Sequence, residues 1–171
     1  MPIRAASVED LAAVGRVHAV SRAAAYVDLL PADALARVTP KRQEAVWRER
    51  FAFAPEHSAL LVSTYDGEVD GFTYGMMRDG VAHLDALHVL PERLGTGVGQ
   101  ALHDVLVERF VAWGAATAEL SVLEGNRRAK AFYRRNGWTS DGTTSSHEVG
   151  GVVVPVLVFR RPVTNWATRR S

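Results

Sequence analysis

The sequence predicts an α/β fold with a mixed sheet, because an N-terminal helical segment, an antiparallel meander and an alternating segment follow one another. Two Asp-Gly turns, Asp66-Gly67 and Asp79-Gly80, separate three strand-like runs and indicate consecutive hairpins. After Pro91 the order becomes strand, helix, strand, helix, strand, which requires crossover connections. The fold class is therefore α+β within one mixed sheet.

Composition excludes several classes of protein. The 171 residues suit one domain, which we expect over residues 1–165, with a tail over residues 166–171. The 20 basic and 19 acidic residues give no electrostatic footprint for nucleic acid. The chain has no cysteine, and no apolar stretch approaches the roughly 20 residues of a membrane span. We expect a cytoplasmic protein with no metal, nucleic-acid or membrane partner.

The first 55 residues predict helices. Ser7 has the character of an N-cap, and the apolar face that follows predicts a helix over residues 8–25. His18 falls on that face, where a buried, hydrogen-bonded histidine is the common case. Pro31 and Pro40 each stand where a first helical position is expected.

Five strand-like runs follow, at Ser58–Tyr65, Glu68–Met77, Val81–Leu90, Ala118–Leu123 and Gly151–Arg160. Gly71 and Gly75 lie inside the second run, where glycine indicates a bulge or a closely approaching neighbour. Asn126 predicts the N-cap of a helix that presents Ala129 and Tyr133 on one face.

A glycine-rich loop, residues 95–99, leaves a strand and opens a helix. Glycines at alternate positions bring successive amides close to an anion at a helix N-terminus, so the loop favours phosphate binding over a plain turn. A P-loop would need Gly-Lys-Ser/Thr, which Gly99-Gln100-Ala101 lacks. A Rossmann fingerprint would normally follow the first strand of a domain, and this loop comes late.

Two segments in order, residues 84–102 and 120–138, resemble the two cofactor motifs of the GNAT superfamily of N-acetyltransferases. The resemblance implies a GNAT-like fold and acetyl-CoA as the acyl donor. It also implies a cofactor-binding set: Leu87, His88, Val89, Arg93, Leu94, Gly95, Thr96, Gly97, Val98, Gly99, Gln100, Asn126, Arg128, Ala129, Phe132 and Tyr133. One departure is Leu94, which stands where the family pattern has Arg or Gln.

The same resemblance assigns chemical roles. A bulge on the third strand of the meander, expected at Leu87 to Val89, would aim backbone amides at the cofactor arm and polarise the thioester carbonyl. Tyr133 would protonate the leaving thiolate as a general acid. Arg128, with its basic neighbours Arg127 and Lys130, would either reach a phosphate or only solvate the helix.

The general base is open among three residues. Asp85 and Glu119 are carboxylates at suitable strand positions, and His88 has a suitable unperturbed pKa. Simple alternation puts Asp85 and Leu87 on one face and His88 on the other, unless the bulge reverses them. Asp85 is the candidate that we carry forward.

The implied function is N-acetyl transfer from acetyl-CoA directly to a primary amine of a small molecule or peptide, in a ternary complex. The alternative is a non-catalytic module that senses acyl-CoA or another nucleotide through the same loop. Residues 24–53, Tyr74, Met76 and a loop over residues 143–151 would choose the acceptor. A homodimer is possible if the final strand, Val152 to Phe159, is exposed at an edge.

Overall fold

A computed structural model describes residues 2–163, so the tail predicted for residues 166–171 lies outside the described residues. The helices are α1 (Leu11–Tyr26), α2 (Ala32–Ala36), α3 (Pro40–Ala52), α4 (Val98–Ala112) and α5 (Arg127–Arg135). The strands are β1 (Ile3–Ala5), β2 (Ser58–Tyr65), β3 (Glu68–Arg78), β4 (Val81–Val89), β5 (Thr117–Leu123), β6 (Thr144–Val149) and β7 (Val152–Pro162).

The strands form one seven-stranded sheet in the order β1-β2-β3-β4-β5-β7-β6. All neighbours are antiparallel except β4 and β5, which are parallel because α4 crosses over between them. The predicted mixed sheet, with helices before the meander and alternation after it, is confirmed.

Two strands were not predicted, β1 and β6. β1 has only three residues, and β6 reads Thr-Ser-Ser-His-Glu-Val, which has no apolar alternation. The segment predicted as a loop over residues 143–151 is therefore an edge strand and its turn. This also corrects the premise of the predicted homodimer, because β7 is interior, paired with both β5 and β6.

The sheet contains two irregularities, and both involve an aspartate. On β3, Gly71 lies opposite Ser63 while Val69 lies opposite Thr64, so Asp70 is the extra residue. On β4, Ala86 lies opposite Tyr74 while Leu84 lies opposite Gly75, so Asp85 is the extra residue. The bulge expected at Leu87 to Val89 is therefore wrong in position: it lies at Asp85.

Helices cover both faces of the sheet. Helices α1 and α3 pack on one face, where Leu11, Val14 and Trp47 contact Phe72 and Ala86. Helix α4 packs on the other face, and its side chains approach Gly71 and Gly75 so closely that a Cβ at either glycine would lie about 2.8–2.9 Å from them. The close neighbour indicated by these glycines is thus α4.

The parallel strands β4 and β5 separate soon after they begin. They pair only at Ala82 with Ala118 and at His83 with Glu119. From Leu84 to Val89, β4 is paired with β3 alone. The result is a wedge-shaped gap in the middle of the sheet.

Within residues 2–163, no helix has both the length and the apolar character needed to cross a membrane.

Candidate active site

The glycine loop has the backbone conformation that its sequence indicates. A short 3-10 turn, Pro91–Arg93, leads into Gly95 at φ 78° and Gly97 at φ 91°, and α4 begins at Val98. These φ values belong to the left-handed region, which glycine adopts without the steric cost of a Cβ. Gly99 needs no such freedom, because a Cβ there would meet Val89 at an ordinary 3.7 Å.

The loop presents free amide groups. Within the described residues, four consecutive backbone N–H groups have no hydrogen-bond acceptor: those of Gly97, Val98, Gly99 and Gln100. The first amide of α4 that donates a hydrogen bond is that of Ala101, to Gly97 O at 3.0 Å. Amides at a helix N-terminus carry a partial positive charge and suit an anion.

These amides border a cleft of about 570 Å³. The structure brings most of the predicted cofactor residues to this one cleft: Leu87, Val89, Arg93, Leu94, Gly95, Gly97, Gly99, Gln100, Asn126, Arg128, Ala129, Phe132 and Tyr133. They come from β4, the loop, α4 and α5, so the gap between β4 and β5 is continuous with the loop.

Three residues of the predicted set do not line the cleft: His88, Thr96 and Val98. The Thr96 hydroxyl donates to Arg93 O at 2.6 Å, and the Val98 side chain is fully buried beneath Gly71. His88 lies on the opposite face of β4. Thr96 and Val98 can therefore serve a ligand only through the backbone, and the His88 imidazole faces elsewhere.

Arg93 borders the cleft, but its guanidinium is held elsewhere. Its Nε donates to the buried carboxylate of Asp70 at 2.9 Å, and the group stacks 3.9 Å from the centroid of the Tyr65 ring. Arg93 thus fixes the loop onto the bulge of β3. The positive side chains left free toward the cleft are Arg128 and Arg135, both exposed and without an ion pair among the described residues.

Asn126 and Gln100 fix the other wall. Asn126 Oδ1 accepts from Ala129 N at 3.1 Å, which is the N-cap that the sequence predicts. Gln100 Nε2 donates to Asn136 Oδ1 at 2.6 Å and to Asp104 Oδ1 at 2.8 Å. The bond between Gln100 and Asn136 ties the start of α4 to the end of α5.

Tyr133 lies at the inner end of the cleft. Its side chain is 8% exposed, and its hydroxyl has no hydrogen bond to another described residue. Burial raises the pKa of Tyr133 above its ordinary value of 10.0. The phenol is therefore protonated across the physiological range and is available as a donor.

A narrow passage of about 160 Å³ leads from Tyr133 through the gap to the other face of the sheet. Tyr133, Leu87 and Asn126 line both this passage and the cleft. Asp85, Ala86 and His88 line both the passage and a larger cavity of about 900 Å³ beyond it. Cleft, passage and cavity thus follow one another across the sheet.

The bulge at Asp85 decides which side chains face the cavity. Leu84 packs on the α4 side, whereas Ala86 packs on the α1 side, so the alternation of β4 is reversed at Asp85. Asp85 and Ala86 consequently both reach the cavity, although they are neighbours in sequence. Asp85 is exposed there, and its Oδ2 lies 3.4 Å from Arg78 Nη2.

The other two candidates for the general base, Glu119 and His88, are less suited than Asp85 to accept a proton from the amine. Glu119 Oε2 accepts from Arg160 Nε at 3.0 Å and lines neither the cleft nor the cavity. Burial, together with the charge of Arg22, lowers the pKa of His88 to about 3. The suitable pKa that the sequence suggested for His88 is therefore lost on folding.

Buried histidines of α1 and β4 form the floor of the cavity. His88 Nδ1 lies 2.7 Å from Ser21 Oγ, and its ring centroid is 4.4 Å from that of His18. Trp47 Nε1 donates to His18 Nδ1 at 2.9 Å. His18 is thus the buried, hydrogen-bonded residue that the sequence predicts.

Sequence reasoning missed Ser21 of α1 as a wall residue of the cleft, and it assigned Ala24 and Ala25 to the segment that chooses the acceptor. All three small side chains line the cleft. Of the residues predicted to choose the acceptor, Tyr74 and Phe51 line a separate cavity of about 310 Å³ on the outer side of Trp47. The Met76 sulfur contacts the Tyr74 hydroxyl at 3.9 Å.

A model of the acetyltransferase (GNAT) family matches residues 24–138, more than half of the chain. The chain belongs to the GNAT acetyltransferase family. An uncharacterised N-acetyltransferase of Mycobacterium tuberculosis is 33% identical to it over 108 residues, covering 58% of this chain and 68% of that protein. This acetyltransferase is therefore an enzyme that depends on acyl-CoA.

Solved structures agree with this assignment at the level of the fold. The PaiA N-acetyltransferase of Thermoplasma acidophilum, in complex with coenzyme A, gives a TM-score of 0.76 at 17% identity, covering 94% of this chain and 98% of that one. The ribosomal-protein-S18-alanine N-acetyltransferase of Escherichia coli gives 0.73 at 19% identity, covering 96% and 94%.

The residues of the cleft fit acetyl-CoA as the donor for this GNAT acetyltransferase. The free amides suit its phosphates, as do Arg128 and Arg135, which have no ion pair among the described residues, and the cleft beside Leu87 and Val89 suits its arm. Among residues 2–163 there is no group of three or more His, Asp or Glu side chains placed to hold a metal ion.

Proposed function

We propose that this enzyme transfers an acetyl group from acetyl-CoA directly to the primary amine of a small molecule or peptide, within a ternary complex. The observation that carries the proposal is the continuous path through the sheet, with Tyr133 at its inner end on one side and Asp85 on the other. A donor and an acceptor entering from opposite faces would meet in the passage.

Acetyl-CoA supplies the activated acyl thioester. The amides of Gly97 to Gln100 bind its pyrophosphate, and Arg128 and Arg135 neutralise further phosphate charge. The free side of β4 near Leu87 binds the arm and holds the carbonyl against backbone N–H groups, which stabilise the charge that develops on oxygen. Rate enhancement then comes mainly from proximity and this polarisation.

Two side chains handle protons. Asp85 accepts a proton from the acceptor ammonium, either directly or through a water, so that the amine can attack. Tyr133 donates its proton to the departing sulfur. Because burial raises the pKa of Tyr133, the phenol is protonated at neutral pH and its proton is available when the carbon–sulfur bond breaks.

The first test is the melting temperature with acetyl-CoA, coenzyme A, ATP and NAD added separately. A ligand that binds only the folded state raises the melting temperature with its concentration. We expect shifts with the two coenzyme A species alone. A shift with ATP or NAD instead, or no shift with acetyl-CoA, would contradict the cofactor assignment.

The second test is release of free coenzyme A thiol in the presence of amines, followed with a thiol reagent. The enzyme contains no cysteine and contributes no signal of its own. Turnover with an amine supports catalysis. Binding of acetyl-CoA without turnover on any primary amine would favour the sensor alternative.

A further inference from the structure

The cavity on the acceptor side of the sheet is strongly cationic. Its wall contains five arginines, Arg22, Arg37, Arg42, Arg50 and Arg78, and only two carboxylates, Asp85 and Glu148. The whole chain, by contrast, has a net charge of only +1. The five arginines come from α1, the end of α2, α3 and β3. The positive charge therefore arises only when the folded chain brings these separate segments together.

Most of these charges are not neutralised by protein. Arg78 is paired with Asp85 at 3.4 Å. Arg37 donates to Gly150 O and Arg42 to Arg37 O, so both guanidiniums bind neutral carbonyls. Arg50 stacks on Trp47 at 5.0 Å from the ring centroid. Among residues 2–163, only Arg78 of the five lies within 4.0 Å of a carboxylate.

Arg22 is the arginine nearest to the chemistry. It lines both the passage, with Tyr133, and the cavity, with Asp85. Its Nε is buried and has no hydrogen-bond acceptor among the described residues. A buried guanidinium donor without an acceptor is costly, and a ligand anion would satisfy it.

Resting on the proposed function, we infer that the acceptor is a small amine that also carries an anionic group, a carboxylate or a phosphate, which binds Arg22 and Arg50. An ammonium alone would be repelled by this wall, whereas an anion on the same molecule compensates for the repulsion. The cationic surroundings also favour the neutral, nucleophilic form of the amine. Polycations such as polyamines are disfavoured for the same reason.

The volume fits a small molecule. A cavity of about 900 Å³ lies within the range of small-ligand sites. His147 and Glu148 of β6 close its far side, with the turn at Gly150 held against α2, where a Cβ would overlap the Ala34 backbone.

The test compares matched amines that differ only in the anion: β-alanine with β-alaninamide, 4-aminobutyrate with 4-aminobutanamide, and O-phosphoethanolamine with ethanolamine, with spermidine as a polycation. The readout is kcat/KM from coenzyme A release. We expect the anionic member to exceed its neutral partner at least tenfold in one series, and the carboxylate and phosphate arms identify which anion is preferred.

Variants locate the effect. Arg22→Gln should reduce kcat/KM for the anionic amine to the level of its neutral partner, mainly through KM, and Arg22→Lys should restore part of it. Arg48→Gln is the matched control, because Arg48 lies on the same helix as Arg50 but pairs with Glu44 at the surface. It should leave the preference unchanged.

Two outcomes overturn the inference while leaving acetyl transfer intact: equal or better turnover of neutral amines or spermidine, or an anion preference that survives Arg22→Gln in a variant that still gains stability from acetyl-CoA. No turnover of any amine of the panel, despite a thermal shift with acetyl-CoA, would overturn the inference and would also favour the sensor alternative over the proposed acetyl transfer. Loss of the thermal shift itself would overturn the cofactor assignment.

Discussion

The two sides of the sheet differ in how they are built. The cofactor side is assembled mainly from β4, the glycine loop, α4 and α5, with three small residues of α1 added to its wall, and its proposed binding groups are mostly backbone amides. The acceptor side draws on α1, α2, α3, β3 and the β6–β7 hairpin, and its binding groups are side chains. A backbone site tolerates sequence change, whereas a side-chain site can be altered one residue at a time. On the proposed function, the cofactor side would therefore bind a donor common to every reaction, and the acceptor side would choose the amine.

The largest effect is expected at Tyr133, where the two halves meet. Tyr133→Phe removes the proton donor to the leaving sulfur and should lower kcat about a hundredfold. Because the donor is common to every reaction, the loss should be the same for all amines, with the coenzyme A dissociation constant unchanged. Steady-state kinetics and a binding titration would measure both. A loss that depends on the amine would place Tyr133 in acceptor recognition instead.

Asp85→Asn should lower kcat about tenfold at neutral pH, because it removes the group that accepts the ammonium proton. The loss should shrink as pH rises, since the amine then deprotonates in solution. The pH–rate profile would show this recovery.

Glu119→Gln is the control for that experiment, because Glu119 is also a carboxylate on a central strand but pairs with Arg160 outside the cavity. It should retain full activity. An Asp85 variant with an unchanged pH profile would reassign proton removal to water.

Acid sensitivity of the folded state should be concentrated on the acceptor side, where His18 and His88 lie. Burial lowers the pKa of His18 and of His88, that of His88 to about 3, and it lowers the pKa of His103 beneath α5 as well. In the unfolded chain these histidines take up protons near their ordinary pKa of 6.5, whereas in the folded chain they stay neutral at that pH. Stability should therefore be fully present well above pH 6.5 and fall progressively as the pH drops through 6.5 toward about 3, the folded-state pKa of His88.

Melting temperatures across that range would measure the slope. His88→Gln should make the dependence of melting temperature on pH shallower. The unfolded variant binds one proton fewer, so the number of protons bound on unfolding is smaller. Parallel curves for the variant and the parent protein would contradict the assignment.

The smallest effect is expected from Leu94→Arg. Leu94 is 42% exposed at the edge of the cleft and stands where the family pattern has Arg or Gln. An arginine there should tighten coenzyme A binding by a few-fold, and the gain should weaken with salt. Val153→Arg, which adds the same charge at an exposed position of β7, should change nothing. An equal gain in both variants would indicate a non-specific charge effect.

Several local backbone features of the chain could be predicted from sequence for a physical reason. Positive φ at Gly95 and Gly97, the Asn126 cap and the Asp66-Gly67 and Asp79-Gly80 turns are local requirements that the residues themselves reveal. These signals depend on a few neighbouring positions, so the fold class and the loop followed from them.

The structure of the acceptor side could not be predicted from sequence, because it depends on strand pairing between distant segments. The bulge at Asp85 is a property of how β3 pairs with β4, and a misplacement by two residues changes which side chains face the cavity. β6 is a polar edge strand that forms only against β7. Nothing in the isolated segments around Arg22, Arg37, Arg50 and Arg78 indicates that they converge.

The early separation of β4 from β5 has a consequence for motion. Backbone groups of β4 between Leu84 and Val89 that face the gap have no strand partner there, so their amide hydrogens are open to exchange with solvent in the free enzyme. Acetyl-CoA seated in the gap would act as a removable strand. The β4 amides that face the gap should then exchange no faster than the cofactor dissociates. The β4 amides that bond to β3 should exchange at the rate at which the whole sheet opens. The centre of a sheet is normally the part of a domain most protected from exchange. In this enzyme, amide exchange at that centre would report how long the cofactor stays bound.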